Sequence, residues 1–514
     1  MGKKPDMPLV RALSRYTGRD FVRFHMPGHK GGRGVLRDFR RLFKKNILNW
    51  DVTEIPGMDN LHEPQGVIKK AEEMLARLYG TDRSFFLVNG STSGVLAMMG
   101  AALNPGDSVI ISRASHRSVL SGLVLTGARP VYVMPEWHEE LGVYTQITPE
   151  VLRKVIKENP GARAIVITNP TYQGFCPDLK EICEIARQNN MLVLVDEAHG
   201  PHLAFSPHLP PTAGDFEVDA WVQSPHKMLS SLTQSAWLHV KGERIDKERL
   251  SSYLGMVTST SPSYILMASL DYARALMERR GRHLVEKALN MAGIARTFIN
   301  MHTDFYCAGD ELKGRAGISD IDLSRLMVNV SGAGFTGFEV ENLLRRKFNI
   351  YAEYADLCNV YFLVTSGNNS KDIRNLIDAL IDISKHKIKY KDYRYSSTGQ
   401  GHTNIHELLV NLSTIMKKLP QKAMEPREAF ISRGEWVPLK HAGGRIAKKA
   451  LVPYPPGVPL LTPGEMVENE DIGVIKRLIE AGCSMQGIDN NNRIYVTVHY
   501  NSKEVFYEGK IHNH

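Results

Sequence analysis

From about residue 66 onward, short apolar runs alternate with amphipathic stretches. Residues 67–79 put Ile68, Ala71, Leu75 and Leu78 on one stripe, the spacing of a helix with a single buried face. The runs at 84–88, 108–111, 130–133, 164–168, 192–195 and 220–223 are apolar without alternation, the mark of strands covered on both faces. Helical stretches separate most of them, including 93–103, which Asn104-Pro105-Gly106 stops. Strands alternating with helices predict an α/β fold built on a doubly wound, mostly parallel sheet. A second α/β stretch follows, with strands at 325–331 and 360–364 and a helix at 370–384. The polar segment 396–400 reads as a linker. Beyond it, Val452-Pro453-Tyr454-Pro455-Pro456-Gly457 must be a rigid loop, because proline cannot donate to a ladder. The first fifty or so residues, rich in Arg, Gly and Pro, read as an extended arm with a short helix near 38–43. The predicted divisions are an arm (1–60), a large domain (61–300), a small α/β domain (301–395) and a C-terminal domain (402–514).

Composition narrows the class. At 514 residues the chain exceeds what one core supports. No apolar run approaches the roughly 18 residues of a membrane span, and no apolar segment follows the basic start Met1-Gly2-Lys3-Lys4 to make a secretory signal. Cys176, Cys183, Cys307, Cys358 and Cys483 are scattered without a CxxC pair, which argues against a zinc site or a disulfide framework and predicts a cytoplasmic protein. The net charge of +9 fits nucleic acid or an anionic ligand. Its basic residues are dispersed except at 385–391, which reads as a solvated linker, so no nucleic-acid partner is expected.

The candidate chemistry lies at two strand ends. One apolar run ends in Asp196, and another runs into Ser224-Pro225-His226-Lys227. Ligands in open α/β sheets sit at the carboxyl ends of strands. An acid and a lysine there are what pyridoxal phosphate chemistry uses: the lysine forms a Schiff base, and the acid partners the pyridinium nitrogen. Taken singly, each also fits a structural carboxylate or an ordinary surface lysine. The turn Asn89-Gly90-Ser91-Thr92-Ser93-Gly94 opens a helix with three hydroxyls, suited to a phosphate and equally to plain N-capping. His116, just after the strand at 108–111, fits either a ring stacked on a pyridine or a capping histidine. Rival motifs lack anchors. Thr92 stands where a nucleophile elbow needs serine, and Gly31-Gly32-Arg33-Gly34 lacks dinucleotide-binding spacing. His25 and His29 have the spacing of a helical metal pair, but Pro27 and Gly28 break the helix, so no metal is expected.

Together these residues resemble the Orn/Lys/Arg decarboxylases, fold-type I pyridoxal phosphate enzymes acting on basic amino acids. The matching motifs, in order, are Phe24-His25-Met26-Pro27-Gly28-His29, Asp59-Asn60-Leu61-His62, Asn89-Gly90-Ser91-Thr92-Ser93, Asp196-Glu197-Ala198-His199-Gly200, Ser224-Pro225-His226-Lys227, Thr258-Ser259-Thr260-Ser261-Pro262-Ser263-Tyr264 and Tyr454-Pro455-Pro456-Gly457. Larger members carry an N-terminal wing domain. Here the first motif starts by residue 24, so the resemblance is to the shorter bacterial branch in which arginine decarboxylases are found.

The resemblance implies that Lys227 holds the cofactor, that Asp196 pairs with its ring nitrogen, and that His116 and Ala198 flank opposite ring faces. Ser91, Thr92, Ser224 and His226 would hold the phosphate, with Ser93 and His199 completing the cofactor set. The order of Thr92 and Ser93 is swapped from the commoner one, which leaves open which hydroxyl meets phosphate. Thr260 lies in a segment that reaches a neighbouring subunit's phosphate, implying a homodimer or larger assembly with sites at the interface. The implied reaction is decarboxylation of a basic amino acid, with arginine to agmatine and carbon dioxide (a step towards polyamines) first, then lysine, then ornithine. Glu63 and Glu465, in or beside matched motifs, are candidates for the substrate's distal cation. An aminotransferase or lyase keeps the cofactor and needs a late carboxylate-binding arginine, for which Arg345 and Arg445 are available. A non-catalytic nucleic-acid-binding protein would show steep salt dependence and has no use for the Asp196–Lys227 set.

Overall fold

In the computed structural model, residues 58–387, 416–453, 458–480 and 483–498 are described, with 409, 413 and arm positions 20, 22–24, 28–30, 33–35, 37 and 52–54. The expected helix at 38–43, the linker at 396–400, His25 and the motif Tyr454-Pro455-Pro456-Gly457 lie outside the described residues.

Seven strands form the central sheet: β1 (Arg83–Leu87), β2 (Ser108–Ser112), β3 (Arg129–Val133), β4 (Ala164–Thr168), β5 (Leu192–Asp196), β6 (Ala220–Gln223) and β7 (Ala236–Val240). Their order is β1-β7-β6-β5-β4-β2-β3, and β7 alone runs antiparallel to its neighbours. Helices α1 (Val67–Tyr79), α2 (Gly90–Ala102), α3 (Arg117–Thr126), α4 (Pro149–Glu158) and α5 (Leu179–Gln188) cover it. Successive side chains of a strand point to opposite faces. Leu192 and Leu194 accordingly join one core with Val95, Met98 and Leu123, while Val193 and Val195 join another with Leu152, Ile156 and Ile182. Both faces of β5 are dry, which is why its sequence does not alternate.

Two glycines set the entry to α2. Gly90 has φ +76°, a left-handed conformation that favours glycine. A Cβ on Gly94 would lie 2.6 Å from Val222 Cγ1 and 2.7 Å from Leu87 Cδ1, so only glycine lets the helix start press onto β1 and β6. The helix begins three residues before the expected 93, which places Ser91, Thr92 and Ser93 within its first turn.

After a short helix α6 (Pro225–Met228), β7 and helix α7 (Lys247–Val257), the 39-residue helix α8 (Tyr264–His302) leaves the large domain. Its N-terminal part buries Met267, Leu270, Ala273 and Met277 in a large-domain core, and its C-terminal part buries Met291, Ala295 and Ile299 in the next. The division expected near 300 therefore falls inside a continuous helix. The small domain is an antiparallel sheet of β8 (Tyr306–Cys307), β9 (Arg325–Asn329), β10 (Tyr354–Ala355) and β11 (Asn359–Leu363), in the order β8-β9-β11-β10. Helices α9 (Gly337–Lys347) and α10 (Ser370–Lys385) pack on it, α10 starting from an Asn369/Asp372 capping box. The C-terminal unit has its own core around the pair β12 (Gly434–Pro438) and β13 (Arg493–Thr497) with helix α11 (Asn469–Glu480).

Candidate active site

Parallel strands β5 and β6 set Asp196 opposite Val222, so Asp196 ends one strand just as the chain beside it turns into α6. Pro225 opens α6 at a position where the missing N–H costs nothing, and Lys227 follows within one turn. The Asp196 side chain is buried, and the Ala198 N–H donates to its Oδ1 at 3.1 Å. Lys227 Nζ lies 2.9 Å from His199 Nε2 and 6.0 Å from the centre of the Tyr172 ring. The Tyr172 and His199 rings are 4.3 Å apart, tilted by 52°.

Burial dominates the electrostatics. It takes the Lys227 amine down to about 8, against the pull of Asp196 and Glu353 and with a push from Arg325. Burial first, then Lys227 and Arg325, hold His199 well below the ordinary histidine range. His116 is lowered by burial, with Asp196 opposing and Lys227 adding to it. His116 also caps α3: its Nδ1 accepts from the Ser118 N–H at 3.2 Å and pairs with Ser118 Oγ at 2.8 Å. Capping uses one ring nitrogen, and the ring feels the charges of Asp196 and Lys227.

The hydroxyl cradle is built by the loop after Lys227. Gly90 N–H donates to the Gln234 carbonyl at 2.7 Å, and Gln234 Nε2 donates to the Val88 carbonyl at 2.8 Å, pinning the start of α2 beside α6. No side chain caps α2, so its first N–H groups and macrodipole face outward with Ser91 and Thr92. Ser93 departs from expectation: it is buried, and its hydroxyl donates to the Gly90 carbonyl at 2.8 Å, turned back into its own helix. The buried Ser224 hydroxyl has no hydrogen-bond partner among the described residues. A polar atom buried unpaired costs about 1–3 kcal/mol, which a phosphate oxygen would recover. His226 Nδ1 donates to the Ser235 carbonyl at 2.7 Å, and burial takes its pKa down to about 4. Its Nε2 can donate to a phosphate only from a doubly protonated ring, a form that an adjacent dianion favours. The orphan hydroxyl, the uncapped helix start, the acid and the enclosed lysine together fit pyridoxal phosphate.

The other candidates fall elsewhere. Glu465 is buried against Arg113 at 2.8 Å and accepts the Thr462 N–H at 2.6 Å, both on Oε2, so it links the C-terminal unit to the large domain; its buried Oε1 has no hydrogen-bond partner among the described residues. Glu63 is exposed on the loop before α1, and Thr260 is exposed on the loop before α8. Those two loops meet, with His62 Nε2 2.9 Å from the Ser259 carbonyl and the Tyr264 hydroxyl donating to the Asp59 carbonyl at 2.6 Å. The arm backs the lysine: Gly28 N–H donates to the His226 carbonyl at 2.9 Å, and Thr365 Oγ1 donates to the Gly28 carbonyl at 2.7 Å. Sequence reasoning missed Tyr172, Arg325 and Glu353, which stand on the walls of the site. Tyr172 donates its phenol to Glu353 at 2.6 Å, and Arg325 reaches His199. Nothing in the sequence ties Arg325, at the start of β9, to His199.

A sheet of this topology, with an acid and a lysine at neighbouring strand ends and a hydroxyl-rich helix start, defines a fold-type I pyridoxal phosphate enzyme. The chain belongs to the Orn/Lys/Arg decarboxylase family: the family's major domain matches residues 7–312 and its C-terminal domain residues 410–487. It is 37% identical over 486 residues to an arginine decarboxylase of Bacillus subtilis (strain 168), spanning 95% of this chain and 96% of that one. An arginine decarboxylase of Halalkalibacterium halodurans is 34% identical over 494 residues, spanning 96% and 97%. A lysine decarboxylase of Francisella novicida superposes with a TM-score of 0.78 at 21% identity, over 95% of this chain and 80% of that one, which shows the shared fold. The protein is thus a pyridoxal phosphate-dependent decarboxylase. Among the described residues, no helix is long and apolar enough to cross a membrane, and no cluster of metal-ligating side chains occurs.

Proposed function

We propose that this enzyme converts L-arginine to agmatine and carbon dioxide, with Lys227 as the cofactor lysine. The observation that carries the chemistry is the enclosed Lys227 amine beside Asp196, between the uncapped start of α2 and the orphan Ser224 hydroxyl. Near-full-length similarity to arginine decarboxylases supports the substrate. Bound pyridoxal phosphate supplies the sink for the electron pair of the broken Cα–carboxylate bond. Asp196 holds the proton on the ring nitrogen, since an opposite charge in hydrogen-bond reach favours the cation. Ser91, Thr92 and Ser224 would hold the phosphate, with His116 and Ala198 beside the ring. Lys227 Nζ would also supply the proton that Cα takes up after carbon dioxide leaves.

The substrate's far end needs a carboxylate. Glu353 is an acid that the fold brings towards Lys227 and the buried Lys30, and it accepts the Tyr172 phenol at 2.6 Å. A carboxylate suits a guanidinium through paired charge-assisted hydrogen bonds, worth about 1.5–3 kcal/mol. Glu353→Gln should therefore raise KM for arginine roughly 10- to 100-fold while the cofactor's visible absorbance stays. An unchanged KM would remove Glu353 from the substrate site.

Assays of carbon dioxide release with arginine, lysine and ornithine decide the substrate. Arginine should give the highest kcat/KM by at least about tenfold, since an ammonium cannot use a fork-shaped site fully. Higher turnover of lysine would overturn the assignment. Transamination finds no support at its two candidate arginines: Arg345 pairs with Glu341 on its own helix at 2.9 Å, and Arg445 pairs with Glu435 in the C-terminal unit. We place the enzyme in the cytoplasm, where five free, buried cysteines are stable, and as a homodimer in which the exposed Thr260 serves the neighbouring site.

A further inference from the structure

The wall of the site contributed by the small domain carries a second function. Arg325 is buried, and the contacts of its guanidinium are fixed: Nε to Asp322 Oδ2 at 2.9 Å, Nη1 to the Tyr172 carbonyl at 3.0 Å and to His199 Nδ1 at 3.1 Å, and Nη2 to the His199 carbonyl at 2.8 Å. Asp322 is fixed in turn, receiving Ser324 N–H at 3.0 Å and Ser324 Oγ at 2.6 Å on Oδ1, with His202 Nε2 at 3.0 Å from Oδ2. A guanidinium so engaged is a poor grip for a substrate carboxylate.

Its contact with His199 has a chemical consequence. A guanidinium donates and never accepts, so Nδ1 of His199 must be the bare nitrogen. In a neutral ring the proton then sits on Nε2, which points at Lys227 Nζ 2.9 Å away. Nε2–H donates, so Nζ must accept, and an amine accepts only through a free lone pair. We propose that Arg325, anchored by Asp322, is a positioning residue that locks His199 in its Nε2–H tautomer and so keeps Lys227 as the free amine that attacks the cofactor's aldehyde. Balance is simple: the Nζ lone pair forms the C–N bond, and the aldehyde oxygen leaves as water.

The surrounding groups are consistent. Asp196 and Glu353 favour the charged amine, Arg325 disfavours it, and burial outweighs them all, leaving Lys227 at about 8. The other groups around His199 are His116 and His226, both lowered by burial, and the Tyr172 phenol, raised well above its ordinary value.

The inference rests on Lys227 being the cofactor lysine, and the test separates the two. The purified full-length enzyme is stripped of cofactor, and the rate of pyridoxal phosphate capture is followed by visible absorbance across pH. Borohydride reduction and peptide mapping then identify the tagged lysine. Wild type should tag Lys227, with capture half-maximal near pH 8. Arg325→Gln should move that midpoint upward by about one unit and slow capture near neutral pH roughly tenfold, with Arg325→Lys between the two. A wild-type midpoint near the ordinary 10.5, or an unshifted midpoint in Arg325→Gln, overturns the inference while leaving the tagged lysine intact. Tagging of another lysine overturns the site itself. If Arg325→Gln fails to fold, ¹⁵N-histidine spectra of the wild type decide, with His199 assigned through a His199→Gln variant. Nε2 must be the protonated nitrogen, and a proton on Nδ1 refutes the proposal.

Discussion

Lys227→Ala loses the visible absorbance of bound cofactor and lowers carbon dioxide release by at least about 10³-fold. The magnitude follows from two losses at one atom. The amine that tethers the cofactor disappears, and so does the group that returns a proton to Cα, a role worth about 10²–10⁴-fold alone. Folding should survive, because the substitution removes a buried amine that is already costly to enclose. A melting temperature near that of wild type, measured beside the spectrum, separates lost chemistry from lost structure. Lys227→Arg sharpens the point: it offers a side chain of similar reach that stays protonated and cannot condense with an aldehyde, so turnover should stay as low as in Lys227→Ala. A Lys227→Ala protein that kept both its absorbance and its turnover would end the assignment of this lysine.

Much of this candidate site is legible in the sequence, and the reason is local. Asp196, Lys227 and the hydroxyls at 91–93 sit where an apolar run breaks into polar residues, so strand ends and their chemistry are written in contiguous sequence. The walls around them are not. Arg325 and Glu353 come from the small domain, brought to the site by a sheet whose strands show only their burial. Glu465 shows the complementary limit: it neighbours a family motif, and only folding reveals that its Oε2 pairs with Arg113, far back in the chain. Ser93 shows the limit at a finer scale, since sequence alone does not say which of three consecutive hydroxyls faces outward. A helix starting at Gly90 turns the third one inward. The strand β7 is absent from the sequence reading, and its antiparallel direction is set only by pairing with β1 and β6.

Asp196→Asn tests the electronic half of the site without disturbing its shape. Asparagine is nearly isosteric and keeps the oxygen that receives the Ala198 N–H at 3.1 Å, so the turn after β5 should hold. Lys227, Ser224 and the α2 start are untouched, and the protein should still bind the cofactor and show its absorbance. What changes is charge. A neutral amide no longer holds the proton on the ring nitrogen, and the electron sink weakens where the departing carboxylate's electrons must go. A charge-assisted hydrogen bond in a buried site contributes about 1.5–3 kcal/mol, or roughly 10- to 100-fold, and more is expected because the interaction strengthens as charge moves into the ring. The loss should therefore fall on kcat, with KM for arginine within about threefold of wild type. Asp196→Glu keeps the charge but displaces it by a methylene, and should recover only part of the rate. If Asp196→Asn turned over within about twofold of wild type, the carboxylate would be structural. The sink would then have to draw on the ring's other contacts, His116 first among them.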